Sequence, residues 1–433
     1  MGPVADRVIS RLPGESVSEF DPAAIDSALE LYPGIRRANM IARRLESMIR
    51  EAGEGIAENL YRKTRDAVVR GDGDLLADDE HFARIIGEAA RSERLPEVAR
   101  PRVPDIGIPE DPRVLHEFWP SLTESDKREL LRADPLLGNR DGIPRAERYE
   151  FNKLTVDTLQ EQARRSGDHM RADTYNDLQS MIYRTRRGEP EFNIAYVDDR
   201  GRFAIDLDNP DFADNTVIVL NPAGAADAPT AYADETMSQM RQIATTIEPA
   251  KNTSITLWGA YDNPHSMTES MFPQFAEDGA AMAREYHEGL RITHVGDPSH
   301  NTTIGHSYGS VLAGHAAGHG AVLNTDDLVL IGSWGMGVRS VGELRLAGVE
   351  AEDIGNHVFA TMARRDFVQL MPKTHGPAPT SPGFGARVFA SSSNPGEPRW
   401  ISDEHFASHY LDSRNPAAGK LGLIMTGLGH MVR

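Results

Sequence analysis

The sequence predicts an α/β protein: a mostly parallel, doubly wound sheet preceded by an α-helical N-terminal region. Three observations carry that expectation. From residue 193 onward compact apolar runs recur in series, namely TVIVL (216–220), SITLW (254–258), NTTI (301–304), DLVLI (327–331), HVFAT (357–361) and ARVFA (386–390). Helical stretches such as DETMSQMRQIATTI and QFAEDGAAMAREYHEGL separate most of them. Upstream the rhythm is different, with apolar residues at three- and four-residue steps. Apolar runs without alternation belong to strands buried on both faces, and strands alternating with helices wind into a parallel sheet through right-handed crossovers.

The elements follow in order. Ile41, Leu45, Met48, Ile49, Ala52, Ile56 and Leu60 form one helix stripe within 35–69, interrupted by Gly53 and Gly55 and ended by RGDGD at 70–74. A second helical stretch at 82–90 suggests a hairpin or small bundle. RLPEVARPRVPDIGIPEDP (94–112) has five prolines and no apolar period. It reads as a linker, dividing the chain into a helical module and linker (1–110) and a second domain (111–433) with a helical lead-in over 111–190. In that lead-in Thr123, three residues before Asp126, predicts a helix cap, and LLGNRDGIPRAERYEFNKL predicts a turn and a helix. NIAYVDDRGRFAIDL is two alternating runs about a glycine turn, an antiparallel hairpin.

Composition narrows the function classes. At 433 residues, 39% hydrophobic and 26% charged, the chain is globular and long enough for two cores. A formal charge of −19 opposes phosphate backbones and anionic membrane surfaces, so nucleic acid is not an expected partner. With no cysteine there is no disulfide, thiol nucleophile or thiolate metal site. No window approaches the roughly 18 apolar residues of a membrane span, and MGPVADRVISRLPGESVSEF lacks the apolar segment of a cleaved leader. The expectation is a soluble chain, cytoplasmic by default, whose export would use a route without a cleaved signal.

Between NTTI and SVLAGHAAGHG stands Gly305-His306-Ser307-Tyr308-Gly309, a G-x-S-x-G elbow with the short strand and small-residue helix that such an elbow requires. A side chain at either glycine would collide with the neighbouring strand or helix across the sharp turn. Ser307 is therefore the expected nucleophile. A serine hydroxyl needs a base within reach and an acid orienting that base, in the chain order Ser, acid, His. Asp366, just past the HVFAT run, is the expected acid. Of the later histidines His375 lies only nine positions on and is expected to line the pocket, while His430 is near the C-terminal end. His409, in EHFASHYLD, is the expected base and His405 the alternative. An oxyanion needs two donors, assigned here to the backbone N–H groups of Tyr308 and of Ala223 or Gly224, in the loop after TVIVL. His306 and Trp334 join His375 as pocket candidates. His315 with His319, and His405 with His409, stand four apart as paired metal ligands can, but no HExxH pattern accompanies them, so neither a metal nor any cofactor is expected.

In order, VLNPAG, WGAYDNP, FAEDGAAMAREYHEGL, TTIGHSYGS, DDLVLIGSWGMGV, RRDFVQL with the later FGARVF, and SHYLD with IMTG resemble the actinobacterial α/β-hydrolase-fold family of unknown function. LLGNRDGIPRAERYEFNKL resembles the segment preceding the sheet in that family. The resemblance covers about residues 115–430 and implies an α/β-hydrolase fold with Ser307, Asp366 and His409 as a triad. Two positions depart from it: Pro222-Ala223-Gly224 where the family has Pro-Gly-Thr, and Trp334 where it has proline. The implied activity is serine hydrolysis of a small-molecule or lipid ester. Acyl transfer on the same triad, and a non-catalytic binding protein of the same fold, are the alternatives; an intact Ser, Asp, His order argues against the second.

Overall fold

A computed structural model describes residues 107–183, 191–223, 229–392 and 403–433. The expected helical module and most of the linker, as well as Gly224, lie outside these residues.

The lead-in holds helices α1 (Pro112–Phe118), α2 (Glu124–Ala133), α3 (Arg145–Ser166) and α4 (His169–Tyr183). Helix α2 opens on the expected capping box: the Asp126 N–H donates to the Thr123 side chain, and the Thr123 N–H donates to Asp126. Eight strands follow: β1 (Phe192–Val197), β2 (Phe203–Leu207), β3 (Asn215–Leu220), β4 (Thr253–Gly259), β5 (His300–His306), β6 (Asp327–Ile331), β7 (Val358–Thr361) and β8 (Arg387–Val388). The intervening helices are α5 (Pro229–Ile247), α6 (Gln274–Thr293) and α7 (Gly309–Ala317), and α8 (Ala407–Leu411) and α9 (Pro416–Met425) close the chain.

The strands form one sheet in the order β1-β2-β4-β3-β5-β6-β7-β8. The β1–β2 and β2–β4 pairs are antiparallel and all others parallel, so β2 alone runs against the rest. Period-two packing explains why these runs are apolar throughout. Val217 and Val219 of β3 join a core that holds Met237, Met240, Leu421 and Ile424 of α5 and α9. Their neighbours Ile218 and Leu220 join the opposite core, with Ala280, Ala283, Val311 and Leu312 of α6 and α7.

The lead-in is bolted to the antiparallel edge by charge. The buried Arg148 donates through Nε to Gly138 O (2.8 Å), and through Nη2 to Ala195 O (3.1 Å) on β1. It pairs through Nη1 with Asp141 at 2.7 Å. Asp206 of β2, fully buried, accepts from Tyr149 (2.7 Å), Tyr286 (3.2 Å) and Thr256 (2.5 Å), with Arg145 Nη1 at 3.5 Å. Burial opposes the Arg145 charge, but Tyr286 and Asp206 outweigh it and hold the guanidinium protonated.

The chain leaves β3 for α5 and β5 for α7, helices on opposite faces of the sheet. The strand order therefore reverses at adjacent strands β3 and β5, whose C-terminal ends frame a crevice, the usual ligand position in open α/β sheets.

Candidate active site

Ser307 stands at that reversal. Its N–H continues the β5–β6 ladder by donating to Ile331 O (3.0 Å), and its carbonyl accepts from Ser310 N (3.0 Å) as α7 begins. Between those bonds the backbone must turn within one residue, and Ser307 sits at φ 54°, in the left-handed region that non-glycine residues avoid. Both elbow glycines are required as expected. A Cβ on Gly305 would lie 2.7 Å from Ser310 Cα, and one on Gly309 would lie 2.3 Å from the Leu220 carbonyl oxygen of β3.

The acid loop leaves β7. Asp366 is buried and caps the short 3-10 turn Phe367–Leu370, its Oδ1 accepting from Val368 N (3.0 Å). Its partner is His405, whose Nδ1 lies 2.9 and 3.0 Å from the two carboxylate oxygens, and whose Nε2 lies 2.9 Å from Ser307 Oγ. A carboxylate on Nδ1 fixes the proton there and leaves Nε2 free to accept from the serine.

The expected base is thereby corrected: the histidine against Ser307 is His405, and His409 is elsewhere. His409 Nε2 contacts the Ser392 carbonyl at 3.1 Å. Phe406 is extended, at φ −72° and ψ 147°, so the chain enters α8 only after His405 has been laid across the strand ends. His409 then faces away with the helix. The neighbouring Tyr410 is the residue that reaches the site, donating to Asp366 Oδ2 at 2.8 Å.

Four further groups fix His405. His306 Nε2 donates to the His405 carbonyl (2.7 Å), and its ring lies 5.2 Å from that of His405. Burial, then the nearby His405, push His306 down to about 4, so it is neutral at physiological pH. The Phe367 ring lies 4.7 Å from the imidazole. The buried Glu404 accepts from Arg365 N (2.8 Å), tying the His405 segment to the Asp366 loop. Gly332, at φ 57°, keeps the space clear: a Cβ there would stand 2.9 Å from Asp366 Oδ2 and 3.2 Å from His405 Nδ1.

Of the expected oxyanion donors, Tyr308 is the N-cap of α7, its amide at the positive end of the helix. Its side chain points away, donating to Phe272 O (2.6 Å). Ala223 is half-buried in the loop after β3. That loop is pinned by the WGAYDNP segment: Asn263 Nδ2 donates to Pro222 O (2.7 Å), and the Tyr261 hydroxyl contacts Asn221 O (3.2 Å) and Asn263 Oδ1 (2.7 Å). Of the pocket candidates, His306 lies against His405. Trp334 and His375 are buried with the Tyr308 ring, His375 standing 5.7 Å from Trp334 and 5.9 Å from Tyr308. The His315 and His319 rings are stacked at 4.8 Å rather than converging on a shared point.

Strand order, the single reversed strand β2 and the strained serine after β5 define an α/β-hydrolase fold. An alpha/beta hydrolase family model matches residues 199–375, a span that includes Ser307 and Asp366 and stops before His405. An uncharacterized protein of Mycobacterium tuberculosis is 26% identical over 267 residues, covering 53% of this chain and 40% of that protein. An uncharacterized protein of Mycobacterium bovis is 32% identical over 139 residues, covering 32% of this chain and 46% of its own length. The chain thus matches less than half the length of these relatives. Among solved structures, the hyperthermophilic esterase from the archaeon Pyrobaculum calidifontis is 16% identical with a TM-score of 0.33, covering 64% of this chain and 93% of its own. A hormone-sensitive lipase from a metagenome library is 12% identical with a TM-score of 0.31, over 64% and 95%. Among the described residues no helix is long and apolar enough to cross a membrane.

Proposed function

We propose that the chain is a serine hydrolase acting on carboxylic esters of small molecules or lipids, with Ser307 as nucleophile, His405 as general base and Asp366 as its orienting acid. One observation carries the reading: Ser307 Oγ, the two His405 ring nitrogens and the Asp366 carboxylate form an unbroken hydrogen-bonded line, each link 2.9–3.0 Å. In this reading His405 Nε2 takes the serine proton as Oγ attacks the ester carbonyl, and the imidazolium rests on Asp366. The oxyanion is received by the Tyr308 N–H and by the loop of Ala223 and Gly224. His405 returns the proton to the leaving alcohol, leaving an acyl-serine; water, deprotonated by the same histidine, releases the acid and restores Ser307.

A fluorophosphonate probe tests this. The adduct is expected on the peptide containing GHSYGS in the wild type and to be lost in Ser307→Ala. His405→Ala should slow both labelling and hydrolysis of a short p-nitrophenyl ester by a factor on the order of 10³. His409→Ala should change either rate by less than about tenfold. An adduct on another residue, or a folded His405→Ala variant with near-normal rates, overturns the assignment.

A further inference from the structure

Asp366 is held by more than the histidine it orients. The Tyr410 hydroxyl accepts from Ala363 N (3.0 Å) and donates to Asp366 Oδ2 (2.8 Å), while Val368 N donates to Oδ1. Tyr410 is fully buried in the last turn of the short helix α8, five residues after His405. It therefore joins three parts of the site: the turn leaving β7, the acid and the helix that follows the base.

We propose that Tyr410 is a positioning residue that sets the pH at which His405 becomes free to act, by donating its hydroxyl proton to Oδ2 of Asp366. The proposal rests on the triad reading above. A carboxylate holds an imidazolium in proportion to the charge its oxygens keep unshared. A phenol proton at 2.8 Å on Oδ2 takes up part of that charge. With the hydroxyl in place, His405 gives up its second proton more readily and the base is available at lower pH. Tyr410 stays a donor throughout, because burial, then the charge of Asp366, push its own ionisation far up.

The other groups facing this pair do not change when the hydroxyl is removed. They are His306 from β5, Glu404 beside the base, Arg364 and Arg365 in the acid loop, and His409, whose ring lies 5.5 Å from Tyr410. Comparing tyrosine with phenylalanine removes this donor together with the acceptor of the Ala363 N–H, and of the two only the donor bears on the charge of Asp366.

The rate constant for fluorophosphonate labelling, measured on the full chain from pH 5 to 9, reads the base in the free enzyme. In Tyr410→Phe the acid limb should move upward by about half a pH unit or more, while the plateau falls less than about tenfold. Tyr410→Leu, which also lacks the hydroxyl, should show the same displaced limb and serves if the phenylalanine variant does not fold. A folded variant whose plateau falls while the limb stays in place overturns the proposal and leaves Tyr410 as packing alone. Failure of the triad reading looks different: the wild type itself would carry no adduct on Ser307, and the inference would go with it.

Discussion

Ser307 is held at φ 54° by bonds on both sides, its N–H to Ile331 and its carbonyl to Ser310. Alanine at this position keeps the Cβ and with it the strain; glycine removes both. Ser307→Gly is therefore expected to be more stable than Ser307→Ala by about 1 kcal/mol in denaturant titration, with both inactive. Equal midpoints would mean that the turn is relaxed and that the hydroxyl is not displayed under strain. The sequence already contained this residue and the reason for its two glycines, because the elbow is local. Choosing between His405 and His409 was beyond it. Both lie in EHFASHYLD, and chain order fits either. What separates them is the extended Phe406, which sends α8 off in a new direction.

At the scale of elements, the β4–α6 connection braces the loop after β3. Asn263 holds the Pro222 carbonyl, and Tyr261 reaches both the Asn221 carbonyl and Asn263. If that loop supplies an oxyanion donor, loosening it should act on the transition state rather than on substrate binding. Asn263→Ala is expected to lower kcat for a p-nitrophenyl ester about ten- to hundredfold with KM little changed. A rise in KM at constant kcat would assign the loop to binding instead. The strands were readable because burial on both faces leaves uninterrupted apolar runs. Helix α4 falls within the helical lead-in expected over 111–190 but is not singled out there, although its buried Ala172, Tyr175, Leu178 and Met181 recur at three-residue steps. WGAYDNP stood out as a motif, but its task did not. Its hydrogen-bond partners lie about 40 positions upstream, as do those linking Glu404 and Tyr410 to the acid loop, and no local pattern records such pairings.

Across the whole molecule, buried histidines set the response to acid. Burial pushes His287, His306 and His315 down to about 4 from the ordinary 6.5, and pushes His375 in the same direction. Between those values the unfolded chain binds protons that the folded chain refuses, so stability is complete above about pH 6.5 and is lost as the pH falls toward 4. For the fully buried His287 and His306 the loss is on the order of 3 kcal/mol each. Asp211, pushed up by burial, works in the opposite direction, against these four histidines among the described residues. Thermal melts should show the midpoint falling steeply below pH 6. A midpoint unchanged down to pH 4.5 would mean that these rings are solvated.

The salt-bridged knot around Asp206 has a consequence for how this fold is divided. Tyr149 and Arg145 come from the lead-in, Asp206 from β2, Thr256 from β4 and Tyr286 from α6. The matched span begins at residue 199, beyond Tyr149, Arg145 and the whole of β1. Cutting the chain there would strand a carboxylate in the interior without its cation and open the edge of β2. The hydrolase core and the segment before it are thus not neighbours that happen to touch. They share one buried charge network, so trimming either leaves the other with polar groups unmet.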